Sequence, residues 1–101
     1  MIADVIYKND RYYVLNEYGK EISHEFQNSL GELMGFSSVF MVFRKYDRYY
    51  SYDERCKEIA HDFTSSLGEL RNVVGTIVNF EKDGRIYTRD QRFKEISHRF
   101  K

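Results

Sequence analysis

Apolar and polar residues alternate along this chain in short runs, and the runs return at a fixed interval. The clearest is "TIVNFEKDGRIYTRD", where an apolar stretch leads to Asp83-Gly84 and then to "RIYT", rich in β-formers. Asp-Gly between two such runs is a strong hairpin signal. "VFMVFRKYDRYYSYD" and "ADVIYKNDRYYVLN" repeat the design, so three hairpins are predicted.

The segment after each hairpin supports two periods. As a helix, Ile59, Phe63, Leu67 and Leu70 fall at steps of 4, 4 and 3, with Asp53 as an N-cap, and Ile22, Phe26, Leu30 and Leu33 repeat the pattern. As a strand, "KEIAHDF" places Ile59, His61 and Phe63 on one face, with "NEYGK" and "DERCK" as the turns leading in. Gly31 and Gly68 would sit inside the helix at a cost of about 1 kcal/mol each relative to alanine, which favours the strand. The expected fold is therefore all-β, built of antiparallel hairpins, with an α+β arrangement of ββα repeats as the alternative.

The interval itself is exact in length. "KEISHEF" at 20–26 returns as "KEIAHDF" at 57–63 and "KEISHRF" at 94–100, so 57 minus 20 and 94 minus 57 both equal 37. Aligning 1–37 with 38–74 gives 17 identities without a gap, which makes the chain an internal repeat. It reads as one domain over 1–101, with repeats 1–37, 38–74 and 75–101. The third is truncated, with 27 of the 37 positions. In repeat proteins each unit covers its neighbour, so a truncated end leaves a face or a strand edge that another copy of the chain is expected to cover.

The succession "GELRNVVGTIVNFEKDGRIYTRDQRFKEI", with its apolar strand, Asp-Gly turn, Tyr-bearing strand, second turn and Lys-Glu-Ile strand, resembles a blade of short β-propeller repeats of the quinoprotein or WG-repeat type. The resemblance implies two blades and most of a third. The tryptophan signatures of those families are missing here, so the resemblance implies no ligand or cofactor site. A three-fold β-prism is the rival closed form; it is similar to the bulb-lectin prism in size and repeat count, without that family's Gln-Asp-Asn-Tyr sugar motif.

Charge narrows the partners. Sixteen basic residues balance sixteen acidic ones, so no net field draws the chain to nucleic acid or an anionic membrane, and neither is expected as a partner. Neither a signal segment nor an apolar span is seen, and a cytoplasmic location is expected. Cys56 is the single cysteine and reads as a small apolar filler near a turn, where the other copies have Gly19 and Phe93.

Three side-chain sets recur. Arg11, Arg48 and Arg85 stand two residues before Tyr13, Tyr50 and Tyr87, so on a strand each Arg and Tyr share a face and form the best binding-site candidate, able to meet a polar, planar or anionic ligand. Lys8, Lys45 and Lys82 recur beside them. The intramolecular alternative pairs each Arg with Glu21, Glu58 or Glu95 and packs each Tyr between units. His24, His61 and His98 would meet at one metal only if they faced a common axis, and no metal or other cofactor is expected. No nucleophile elbow, phosphate loop or isolated carboxylate pair is present, so the chain is not expected to be an enzyme. The expected function is that of a structural or protein-interaction repeat protein that self-associates through its incomplete terminal repeat. The alternative is a small multivalent lectin-like module. The expected partners are the chain itself, another protein or a carbohydrate.

Overall fold

A computed structural model describes residues 1–101, and strands dominate it. The first sheet comprises β1 (Asp4–Lys8), β2 (Arg11–Leu15) and β3 (Glu21–Phe26). A single helical turn, α1 (Gln27–Leu30), leads to the second sheet of β4 (Glu32–Phe36), β5 (Met41–Lys45), β6 (Arg48–Tyr52) and β7 (Glu58–Phe63). Another turn, α2 (Thr64–Leu67), leads to β8 (Glu69–Val74), β9 (Ile77–Lys82), β10 (Arg85–Asp90) and β11 (Glu95–Phe100). Each sheet is an antiparallel meander in chain order, as the hairpin pattern predicts.

The ambiguous segments resolve as strand, one helical turn, then strand. Asp53 caps a turn instead of a helix: its Oδ1 accepts from Arg55 N at 2.8 Å and Lys57 N at 3.0 Å. Asn16 and Asp90 do the same for the backbone at Tyr18 and Lys20, and at Arg92 and Lys94. Such side-chain bonds offer the backbone an alternative to the helical ladder. Gly68 then ends the helical turn with φ +95°, and a Cβ there would collide with the Glu81 carbonyl; Gly31 stands the same way against Arg44. The glycines that spoil the helical reading are those that turn the chain into the next sheet.

Sheets and sequence repeats are out of phase. β4 and β8 come from the ends of the first and second sequence repeats, so the third repeat, short in sequence, completes a four-stranded sheet. The sheet with three strands is the first and not, as the truncated third repeat predicts, the last, and its β1 is paired by β2 alone.

Two clusters join the sheets in a row. The first takes Tyr12 and Val14 from one sheet and Met41, Phe43 and Tyr52 from the next, with Ile2 and Leu30 closing it. The second takes Val42 and Tyr49 from the middle sheet and Val78 and Phe80 from the third, with Phe40, just before β5, and Phe93, between β10 and β11, beside them. Alternation along β5 explains this: Met41 and Phe43 point one way and Val42 the other, so all three are fully buried. Leu30 and Leu67, from the helical turns, are buried in successive clusters. Hydroxyls stitch the sheets as well, with Ser23 Oγ donating to Glu54 O and Ser51 Oγ to Gln91 O, both at 2.6 Å.

The far face of the third sheet departs from this pattern. Val5 and Val42 correspond to Asn79, and Met34 to Arg71. Thr88 Oγ1 donates to Asn79 Oδ1 at 2.6 Å, and Asn79 Nδ2 to Asn72 Oδ1 at 3.0 Å. Glu81 holds both Arg71 and Lys101, at 3.0 and 3.1 Å, and these cations keep its carboxyl below the usual carboxylate range. The outer face of the third sheet is therefore polar where the equivalent positions of the other sheets, Val5, Val42 and Met34, pack against an apolar cluster. No helix is long and apolar enough to cross a membrane.

Candidate functional site

Strand register brings the recurrent residues into two rows on one face of every sheet. Lys8, Arg11 and Phe26 are successive neighbours across β1, β2 and β3, and Ile6, Tyr13 and His24 form the next row. The middle sheet repeats them as Lys45, Arg48, Phe63 and as Phe43, Tyr50, His61. The third sheet has Lys82, Arg85, Phe100 and Phe80, Tyr87, His98. Each Arg and Tyr shares a face, as their spacing predicts.

The partners of these residues differ from the intramolecular pairing considered for them. The guanidinium of Arg11 lies 4.6 Å from the centroid of Phe26, and Arg48 and Arg85 lie 4.8 Å from Phe63 and Phe100. The glutamates belong instead to the histidines. Glu21 Oε2 is 2.8 Å from His24 Nδ1, Glu58 Oε2 is 2.8 Å from His61 Nδ1, and Glu95 Oε2 is 3.0 Å from His98 Nδ1. A register shift beside Val14, Ser51 and Thr88, which leaves Ile22, Ile59 and Ile96 unpaired, lets the glutamate reach the face of its histidine. Each imidazole is tilted over a tyrosine ring, with centroids 5.6, 5.4 and 5.5 Å apart for Tyr13, Tyr50 and Tyr87.

Every sheet therefore offers a cation on an aromatic ring beside a Tyr-His-Glu row. The histidines are each tied to their own sheet, and no group of three His, Cys, Asp or Glu side chains is placed to hold a metal ion. The rows are half-open to solvent, so the cations keep free donors for an anionic or planar partner.

Only the first sheet leaves this face open toward its inner strands. An open cavity of about 260 Å³ lies there over Ile6, Lys8, Asn9, Tyr13 and Leu15. In the middle sheet the corresponding surface carries Phe43, Tyr50 and Tyr52 and packs against the first cluster. At the other end of the array a wider cavity of about 500 Å³ is lined by Arg71, Asn72, Asn79 and Arg99.

Two residues near the first cluster are held neutral. Burial pushes the Tyr52 hydroxyl up to about 12, with Glu58 adding to the effect. Burial also raises the Cys56 thiol, against a hydrogen bond between it and the Ser23 hydroxyl. That fits an apolar filler, and its φ of +62° shares the left-handed turn position with Gly19 and Phe93. Sequence reasoning missed the Phe26, Phe63 and Phe100 partners and the Glu-His pairs. The fixed repeat carried their signal, but reading it required the register of the third strand.

Comparison of the chain with protein-family models, with curated proteins and with solved structures finds no significant match.

Proposed function

We propose that the protein is a non-enzymatic, cytoplasmic repeat module with a structural or protein-interaction role, built of propeller-blade-like units, that self-associates through the incomplete end of its array. The observation that carries this reading is a contrast at one repeated position. Phe43 and Phe80 are fully buried between sheets, whereas Ile6, their counterpart in the first sheet, is 39% exposed. An apolar face that two of three units bury, and the third leaves open, is a surface suited to association. The mass in solution by light scattering, over a range of concentrations, tests it. A defined oligomer is the expected result, and a monomer at every concentration would remove the reading.

A second reading is a multivalent ligand-binding module, supported by the threefold recurrence of the Arg-Phe and Tyr-His-Glu rows. Weak sites repeated on one rigid frame gain apparent affinity by linkage. Arg48→Ala and Tyr50→Ala, screened against a glycan array, are expected to lower binding while the circular dichroism spectrum persists. Unfolding of both variants would make these residues packing elements.

A further inference from the structure

In the second and third sheets the first hairpin strand is paired on both sides, β5 by β4 and β9 by β8; in the first sheet β1 is paired by β2 alone. Its other edge is open. The segment before it does not cover that edge, because Ile2 is buried in the first cluster and its N–H donates to Ser38 O at 2.9 Å.

The direction of the free groups follows from the turn. Asn9-Asp10 is a two-residue connection with φ of 54° and 64°, which makes Lys8 and Arg11 a mutually hydrogen-bonded pair. Lys8, Ile6 and Asp4 then bond inward to β2, and Val5 and Tyr7 direct their N–H and C=O groups outward. The Val5 N–H is occupied by the carboxylate of its neighbour Asp4, at 2.8 Å, as an edge donor without a strand would be. Exposed edges of this kind are templates for pairing.

The side chains of "DVIYK" decide what pairs there. Antiparallel to itself and centred on Ile6, the strand sets Asp4 opposite Lys8 of the second copy, twice, and Val5 opposite Tyr7, twice. All four outward groups of each strand then find partners, with Ile6 meeting its own counterpart on the axis. Parallel pairing in register would set Asp4 on Asp4 and Lys8 on Lys8. Opposite charges and aromatic or β-branched pairs across strands stabilise, and like charges directly opposite destabilise. The far face of the third sheet is polar, with its Asn79, Thr88 and Arg71 network, so the two ends of the row differ in chemistry.

We propose that β1 pairs antiparallel with β1 of a second copy about a two-fold axis at Ile6, merging two three-stranded sheets into one of six strands. This rests on the self-association reading and gives it a geometry. A closed two-fold contact yields a dimer and stops there.

The test is the mass of the full chain, with three variants. The parent is expected at twice 12.2 kDa. Asp4→Lys sets like charges opposite each other and is expected to weaken the dimer at least about tenfold. Adding Lys8→Asp to that variant restores both charge pairs and is expected to restore the dimer. Ile6→Cys is expected to form a disulfide across the axis under mild oxidation, located by peptide mapping, since non-hydrogen-bonded pairs bring Cα atoms within about 4.5 Å. A parent that is monomeric throughout overturns both the reading and this geometry. An oligomer unaffected by Asp4→Lys overturns the β1 contact alone. A dimer lost in Asp4→Lys and not regained in the double variant overturns the antiparallel register.

Discussion

β7 and β11 carry almost the same phrase, "KEIAHDF" and "KEISHRF", in the same register against β6 and β10. Their surroundings differ. Ile59 and Ala60 pack against the second cluster, whereas every residue of β11 is exposed and Ile96 keeps 58% of its surface in water. The cause lies outside the strand: β7 has a sheet beyond it and β11 has none. Sequence repetition therefore sets hairpin geometry copy by copy, while the position of a copy in the row sets how much that geometry contributes to stability.

Three measurements separate position from repetition. The largest effect belongs to Phe43, which meets Tyr12 edge-on at 5.1 Å and Tyr52 at 5.7 Å inside the first cluster. Phe43→Ala should lower the unfolding free energy by about 3–5 kcal/mol, read from the urea midpoint, through lost burial and an unfilled cavity. Ile6→Ala, at the same repeat position in the open sheet, should cost less than about 1 kcal/mol in the monomer. Similar losses at the two sites would mean that the first sheet is covered in solution.

Next in size is the pair that opened the comparison. Ile59→Ala is expected to cost about 1–3 kcal/mol, less than a fully buried truncation because the side chain is only half-buried. Ile96→Ala should stay within about 0.5 kcal/mol. If Ile96→Ala proves as costly, a further surface must lie against β11.

The smallest effect is a pH dependence that distinguishes the middle sheet from its neighbours. Tyr52 ionises near 10 when unfolded and near 12 when folded. A raised folded value means that its contribution is fully present below pH 10 and is lost as pH climbs from about 10 to about 12. Tyr52→Phe should therefore flatten the fall in stability over that window. Leu15 and Arg89 hold the equivalent positions and cannot supply the same transition. An unchanged slope would assign the alkaline loss to other tyrosines.

Much of the fold was legible because its signals are local. Asp83-Gly84 marked a hairpin, and Asn9-Asp10 and Tyr46-Asp47 made the same reversal with left-handed residues at Asn9, Asp10 and Tyr46. Gly31 and Gly68 told against a helix, and their φ of +95° shows why. The short helical turns at Gln27–Leu30 and Thr64–Leu67 lay within a pattern that fits two periods, because Leu30 and Leu67 serve the core from a turn. The site was half legible. Spacing placed Arg11 with Tyr13 on one face, but Glu21 reaches His24 only through the bulge beside Val14, a displacement that alternation does not reveal.

The sequence by itself determined the 37-residue period, the strands and tight turns within it, and which residues share a face, since dihedral preferences and side-chain alternation act over a few residues. Only the tertiary structure decided that sheets straddle the repeat boundaries, that the first sheet is the three-stranded one, and that Phe43 is buried while Ile6 is open. Those outcomes depend on which sheet lies against which, and burial is a property of the neighbour as much as of the residue.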